Sequence, residues 1–193
     1  MKIVLTGAGG GHFYPLIAVA ERIRKEAFIQ KMVQPEFFFI ADKPYDEEML
    51  YSVDAKFIQI PAGKLRVYPS LETVTDIFKT IWGCVVALGK MYSLYPDVVF
   101  AKGGYASFPV LFAARMLSIP VVVHESDTVP GRVTKWAGKF AVRIALSYPQ
   151  AAPFYPMNKT ALTGQPIRDA YLPNEEFMRA FPKKERPVIL IAG

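Results

Sequence analysis

Ile3-Val4-Leu5-Thr6-Gly7-Ala8-Gly9-Gly10-Gly11-His12-Phe13-Tyr14-Pro15 is the stretch on which the fold turns. A short apolar run ends in clustered glycines, and Pro15 then opens a helix at a position where its missing N–H costs nothing. Leu16, Ile17, Ala20 and Ile23 follow on one helical face, with Glu21, Arg22, Arg24 and Lys25 opposite. A strand, a glycine turn and a helix make one α/β unit.

Further units follow. Phe37-Phe38-Phe39-Ile40 and Lys56-Phe57-Ile58-Gln59-Ile60 predict the next two strands, with a helix over 45–52 between them. Asp97-Val98-Val99-Phe100-Ala101 and Val121-Val122-Val123-His124 are near-continuous apolar runs, the pattern of strands buried on both faces of a parallel sheet. Helices over 110–117 and 132–140 come after them, then shorter strands over 143–147 and 160–163. The alternation predicts an α/β class, a Rossmann-like doubly wound parallel sheet. Ligands of such sheets gather at the carboxyl ends of the strands.

The chain has 193 residues, 52% of them hydrophobic, enough for one good core and the start of a second. A polar stretch over 173–186 precedes a new strand signal at Pro187-Val188-Ile189-Leu190-Ile191. The expected organisation is therefore a domain over 1–168, a linker or helix over 169–186, and the truncated first strand of a second domain over 187–193. The lone Cys84 excludes an internal disulfide framework and a Cys-based zinc site, and points to a reducing, cytoplasmic home. The apolar start breaks at once into glycines, unlike a secretion signal. A net charge of +6 favours anionic partners as readily as it provides ordinary solubility. The basic residues are scattered, and no RNA-binding signature accompanies them, so nucleic acid is not expected as a partner.

Four loops carry candidate chemistry. Gly7-Ala8-Gly9-Gly10-Gly11 lets backbone N–H groups approach an anion at a helix start, or is simply a tight turn. His12 beside it is placed for general-base work, or is structural. Lys102-Gly103-Gly104-Tyr105-Ala106-Ser107-Phe108-Pro109 is a second glycine loop, which together with the first fits a shared phosphate or diphosphate site; Ser107 is also a plain helix cap. His124-Glu125-Ser126-Asp127-Thr128-Val129-Pro130-Gly131 offers His124 and Glu125 for hydroxyl recognition or proton transfer, with Asp127 or Thr128 as an alternative cap. Thr163-Gly164-Gln165-Pro166-Ile167-Arg168 places an arginine either to reach an anion or to pair with Asp169.

A fifth feature is a helix over 71–95. Leu71, Val74, Phe78, Ile81, Trp82, Val85, Leu88 and Tyr92 follow helical spacing, and Ile77, Cys84 and Met91 make the other side apolar too. Such a helix is either buried or meets a membrane. Its charge-free run over 80–89 is too short to span a bilayer. With Lys64, Arg66, Lys79 and Lys90 nearby, an interfacial patch competes with a plain core helix.

Together the loops resemble the peptidoglycan glycosyltransferases of family 28, on Gly7 to Pro15, Lys102 to Pro109, His124 to Asp127 with Pro130-Gly131 and Lys135-Trp136, and Thr163 to Arg168. The resemblance implies the N-terminal half of a two-domain GT-B fold. It implies an inverting transfer of N-acetylglucosamine from UDP-GlcNAc to lipid I, forming lipid II, with no metal and no cofactor. His12 and Glu125 would be catalytic. Gly10, Gly11, Gly103, Gly104 and Tyr105 would meet the acceptor diphosphate, and Gly9, Asp127 and Arg168 the donor. Ile77, Phe78, Ile81, Trp82 and Val85 would form a membrane patch, making the protein peripheral on an anionic, cytoplasmic membrane face. The sequence departs from the family pattern at Gly9 (usually Thr), Asp127 (usually Asn) and Thr134 (usually Asn). Two rival readings are an acceptor-binding subunit of a split GT-B enzyme and an NAD enzyme. The second fits poorly, because Asp42 lies too far past the first loop to be the usual ribose contact.

Overall fold

The computed structural model describes residues 1–64 and 71–171; the expectations for 173–186 and 187–193, and Arg66, lie outside the described residues. Seven strands, β1 (Lys2–Gly7), β2 (Glu36–Ala41), β3 (Ala55–Gln59), β4 (Val98–Gly103), β5 (Val121–Glu125), β6 (Arg143–Leu146) and β7 (Thr160–Leu162), form one sheet in the order β3-β2-β1-β4-β5-β6-β7. Every pairing is parallel. The doubly wound expectation is met. The chain works outward from β1 to β3, then returns to lay β4 along the other edge of β1.

Alternate residues of the strands feed two cores. Ile3, Leu5, Phe37 and Phe39 pack with Phe13, Leu16 and Ile17 of α1 (Gly10–Ile29) and Leu50 of α2 (Glu47–Ser52). On the opposite face Val4, Phe38, Val99, Val121 and Val123 meet α3 (Leu71–Leu94), α4 (Phe108–Met116) and α5 (Arg132–Ala137). Both faces of the central strands are thus covered, as their valine-rich runs require.

One element differs from expectation, and a second is resolved. α1 begins at Gly10, not at Pro15, so the glycines are themselves its first turn. The Gly9 carbonyl accepts the N–H groups of His12 (3.2 Å) and Phe13 (3.0 Å). Pro15 sits inside the helix, where it only deprives the Gly11 carbonyl of a donor. In α3, which the sequence left open between a core helix and an interfacial one, the apolar stripe is turned outward, with Phe78 68% and Trp82 61% exposed. The buried seam is instead Asp76, Gly83, Ala87 and Met91. Small residues let neighbouring backbone come very close there: a Cβ on Gly83 would lie 1.9 Å from the Pro61 carbonyl oxygen.

Gly83→Ala therefore exchanges a helix-propensity gain of about 1 kcal/mol for a backbone clash of larger size. Urea denaturation is expected to show a net loss of stability, whereas Gly89→Ala, with nothing within 4 Å of the new Cβ, is expected to stabilise or be neutral.

Candidate active site

The loops after β1 and β4 flank the point where the strand order reverses, the crevice in which doubly wound sheets hold ligands. Gly103 and Gly104 have φ of +89° and +82°, conformations that cost other residues strain. A Cβ on Gly104 would stand 2.7 Å from the Ala8 Cβ, so the two glycine loops touch there. Helix geometry leaves the N–H groups of Gly10 and Gly11 without intrahelical acceptors at the positive end of α1.

Two cavities of about 310 Å³ each open beside this contact. His12, Gly104 and Tyr105 line both and form their common wall. The first cavity continues to Lys102, Glu125, Asp127 and the start of α5; the second continues to Gly7, Gly9, Asp42 and Lys43. Gly10 is covered by Tyr45, whose hydroxyl oxygen would be 2.5 Å from an added Cβ.

Among the described residues the His12 Nδ1 is buried without a hydrogen-bond partner. Burial lowers the pKa of this imidazole, the Lys102 ammonium lowers it further, and Asp127, Glu125 and a hydrogen bond with the Lys102 backbone oppose them. His12 is thus held towards the neutral form that accepts a proton.

The Glu125 carboxylate is committed on both oxygens. Oε1 accepts the Asp127 N–H (3.0 Å); Oε2 accepts the Gly131 N–H (3.2 Å), the Tyr155 hydroxyl (3.2 Å) and the Thr134 hydroxyl. It braces the loop over 126–131 against α5. Asp127 is left exposed on the rim of the first cavity. Tyr105 donates its hydroxyl to Asp42 (2.8 Å), with Lys64 over its ring at 5.5 Å. Burial, then the bond to Asp42, pushes its pKa up to about 12, so the phenol stays protonated.

Arg168 lies away from these groups. Its guanidinium pairs with Glu21 of α1 at 2.9 Å, while Asp169 pairs with Lys25 at 2.7 Å. The expected alternative pairing of Arg168 with Asp169 is thus replaced by two bridges to α1. They tie the segment after β7 across the sheet.

Sequence reasoning passed over Lys102 as a site residue. It is 1% exposed, and its ammonium donates to His124 Nδ1 (3.2 Å), Gln165 Oε1 (3.4 Å) and Ser126 Oγ. Burial pulls its pKa down to about 8. The available signal was a lysine closing an otherwise apolar buried strand. His124, read as a possible ligand to hydroxyl groups, is instead enclosed at 1% exposure. Its Nε2 faces the Gly164 carbonyl at 3.0 Å, which can only accept, so Nε2 carries the proton and Nδ1 receives Lys102.

Residues 3–146 match the glycosyltransferase family 28 N-terminal domain. The chain belongs to this family. Curated relatives named UDP-N-acetylglucosamine–N-acetylmuramyl-(pentapeptide) pyrophosphoryl-undecaprenol N-acetylglucosamine transferase come from Borrelia turicatae and Lachnospira eligens. The first is 34% identical over 100% of this chain and 53% of its own length; the second is 34% identical over 100% and 54%. The family 28 chain thus spans about half the length of the curated relatives it matches. The solved structure of MurG from Acinetobacter baumannii has the same fold, with a TM-score of 0.68 and 23% identity over 87% of this chain and 46% of that one. A UDP-GlcNAc 2-epimerase from Neisseria meningitidis shares it at a TM-score of 0.59, with 14% identity over 86% and 47%.

The family 28 domain should lose stability in mild acid through His124. Burial pulls this imidazole down to about 4 from 6.5, with Lys102 adding to the effect and the Gly164 bond opposing it. The unfolded chain then binds a proton that the folded one refuses. Stability is full above pH 6.5 and falls by about 3 kcal/mol as pH drops to about 4. Denaturation across that window is expected to show this slope, reduced in His124→Gln, which keeps an N–H for Gly164.

Proposed function

We propose that residues 1–168 form the acceptor half of an inverting N-acetylglucosaminyltransferase that moves GlcNAc from UDP-GlcNAc to lipid I, a second half supplying most of the donor site. The observation that carries this reading is His12: an imidazole held towards its neutral form, on the shared wall of two cavities between two glycine loops. The names of the relatives supply the substrates.

In this mechanism the N–H groups of Gly10 and Gly11, with those of Gly103 and Gly104, receive the acceptor diphosphate. The acceptor hydroxyl attacks the anomeric carbon of the donor sugar. As that C–O bond forms, His12 takes the hydroxyl proton, and the bond to UDP breaks with its electron pair leaving on UDP. Tyr105 shapes the wall between the cavities. Glu125 acts by fixing the loop that carries Asp127 to the rim of the first cavity, while Gly9 lines the second, and both residues would face the donor; the bridge to Glu21 gives Arg168 a role in anchoring the segment after β7.

We also propose that α3 rests on an anionic membrane at its cytoplasmic face. Ile77, Phe78, Ile81, Trp82 and Val85 are 44–68% exposed along one side, with the exposed cations Lys79 and Lys90 close by. The segment Thr73–Leu94 is long and apolar enough to cross a bilayer by length and composition. Its other side, however, is packed into the domain, which supports lying on the surface instead.

Two experiments test the proposal. In the full-length gene product, His12→Ala is expected to lower GlcNAc transfer to a soluble lipid I analogue by roughly a hundredfold or more, mostly in kcat; wild-type turnover would remove His12 from the mechanism. Trp82→Glu is expected to weaken binding to phosphatidylglycerol vesicles by roughly tenfold; equal binding would reject the patch.

A further inference from the structure

β1 and β4 run in step from Ile3 opposite Val98 to Thr6 opposite Ala101, but Gly7 then pairs with Gly103. Lys102 is the extra residue. A bulge of this kind re-aims a side chain, and here it turns a lysine at the end of a buried strand into the interior beside the cavity that His12 lines. The ammonium has three protons and three acceptors, on His124, Ser126 and Gln165, and all three are uncharged. His124 is itself locked by Gly164, and Gln165 Oε1 also accepts the Ser147 hydroxyl at 2.7 Å. The position of the charge is therefore fixed by β5, the loop after it and the segment after β7, with no carboxylate in direct contact among the described residues.

We propose that Lys102 is a positioning residue for the transfer: a fixed, buried positive charge in the wall of the cavity that His12 also lines, acting on the imidazole across that cavity. The inference rests on the reading of His12 as the base. A buried charge acts over a longer range than an exposed one because little solvent screens it. The groups facing His12 divide by element. β5 and its loop present Glu125 and Asp127, which favour the imidazolium; Glu125 has its charge spread over four hydrogen bonds, and Asp127 is exposed to solvent. α5 adds Arg132 to the lining of the first cavity. Across the second cavity stand Asp42, Lys43 and Lys64, with Asp42 engaged by Tyr105, and the hydroxyl of Tyr45. Lys102 is the buried cation in this set, and it counters the two carboxylates.

The chain has two histidines, so the ring signals that remain in His124→Gln belong to His12. Proton NMR of the ring signals across pH 5 to 9 reads the effect without turnover, and so separately from whether His12 is the base. Lys102→Met is expected to shift the His12 midpoint upward. Lys102→Gln, which keeps polar contacts to the loop, is expected to do the same. An unchanged His12 midpoint in whichever of these variants folds would overturn the proposal.

Discussion

β1 has a parallel partner on each edge, and the chain leaves these partners in opposite directions. Everything at the site depends on that constraint. Two crossovers heading to different faces cannot fill the space above the strand between them, so a crevice opens at the ends of β1 and β4. The loops that border it must then turn sharply and still touch. The positive φ of Gly103 and Gly104, and the approach of Gly104 to Ala8, are what that geometry requires of the backbone. The 20-residue α1 starts inside the crevice and brings its unpaired N–H groups and His12 with it.

Around this crevice most polar groups are already spoken for. Glu125 is held by four donors, Tyr105 by Asp42, and His124 by Gly164 and Lys102. Such closed networks stabilise a buried polar group and hold its position. The His12 Nδ1 stands apart, buried and unpaired. A rigid surround beside an imidazole held towards its neutral form suits acid–base chemistry, because the surround need not reorganise when the proton moves.

The strands were legible because period and composition survive burial: Val121 to Val123 reads as a two-sided core strand whatever its neighbours. The glycine loops were legible because glycine clusters after such strands have few other uses. The start of α1 was misjudged by five residues, since Pro15 is a strong local signal and glycine a weak helix former, yet packing of Phe13 and the carbonyl of Gly9 decide the end. Periodicity found the apolar stripe of α3 but not the side it faces. Close packing selected the seam of Gly83, Ala87 and Met91, which hydrophobicity alone ranks below Phe78 and Trp82. The partners of Arg168 and Lys102 were out of reach for a different reason. Glu21 is 147 positions from Arg168, and Gln165 is 63 from Lys102, so only the finished sheet brings them together.

The central claim is that the crevice between β1 and β4 receives the diphosphate of a lipid-linked acceptor. Amide NMR of the isotope-labelled protein, titrated with a short-chain, soluble lipid I analogue, tests it most directly. The account predicts saturable shifts concentrated at the amides of Gly9 to His12 and Gly103 to Tyr105. Saturable shifts confined to the opposite ends of the strands, with these amides unmoved, would contradict it.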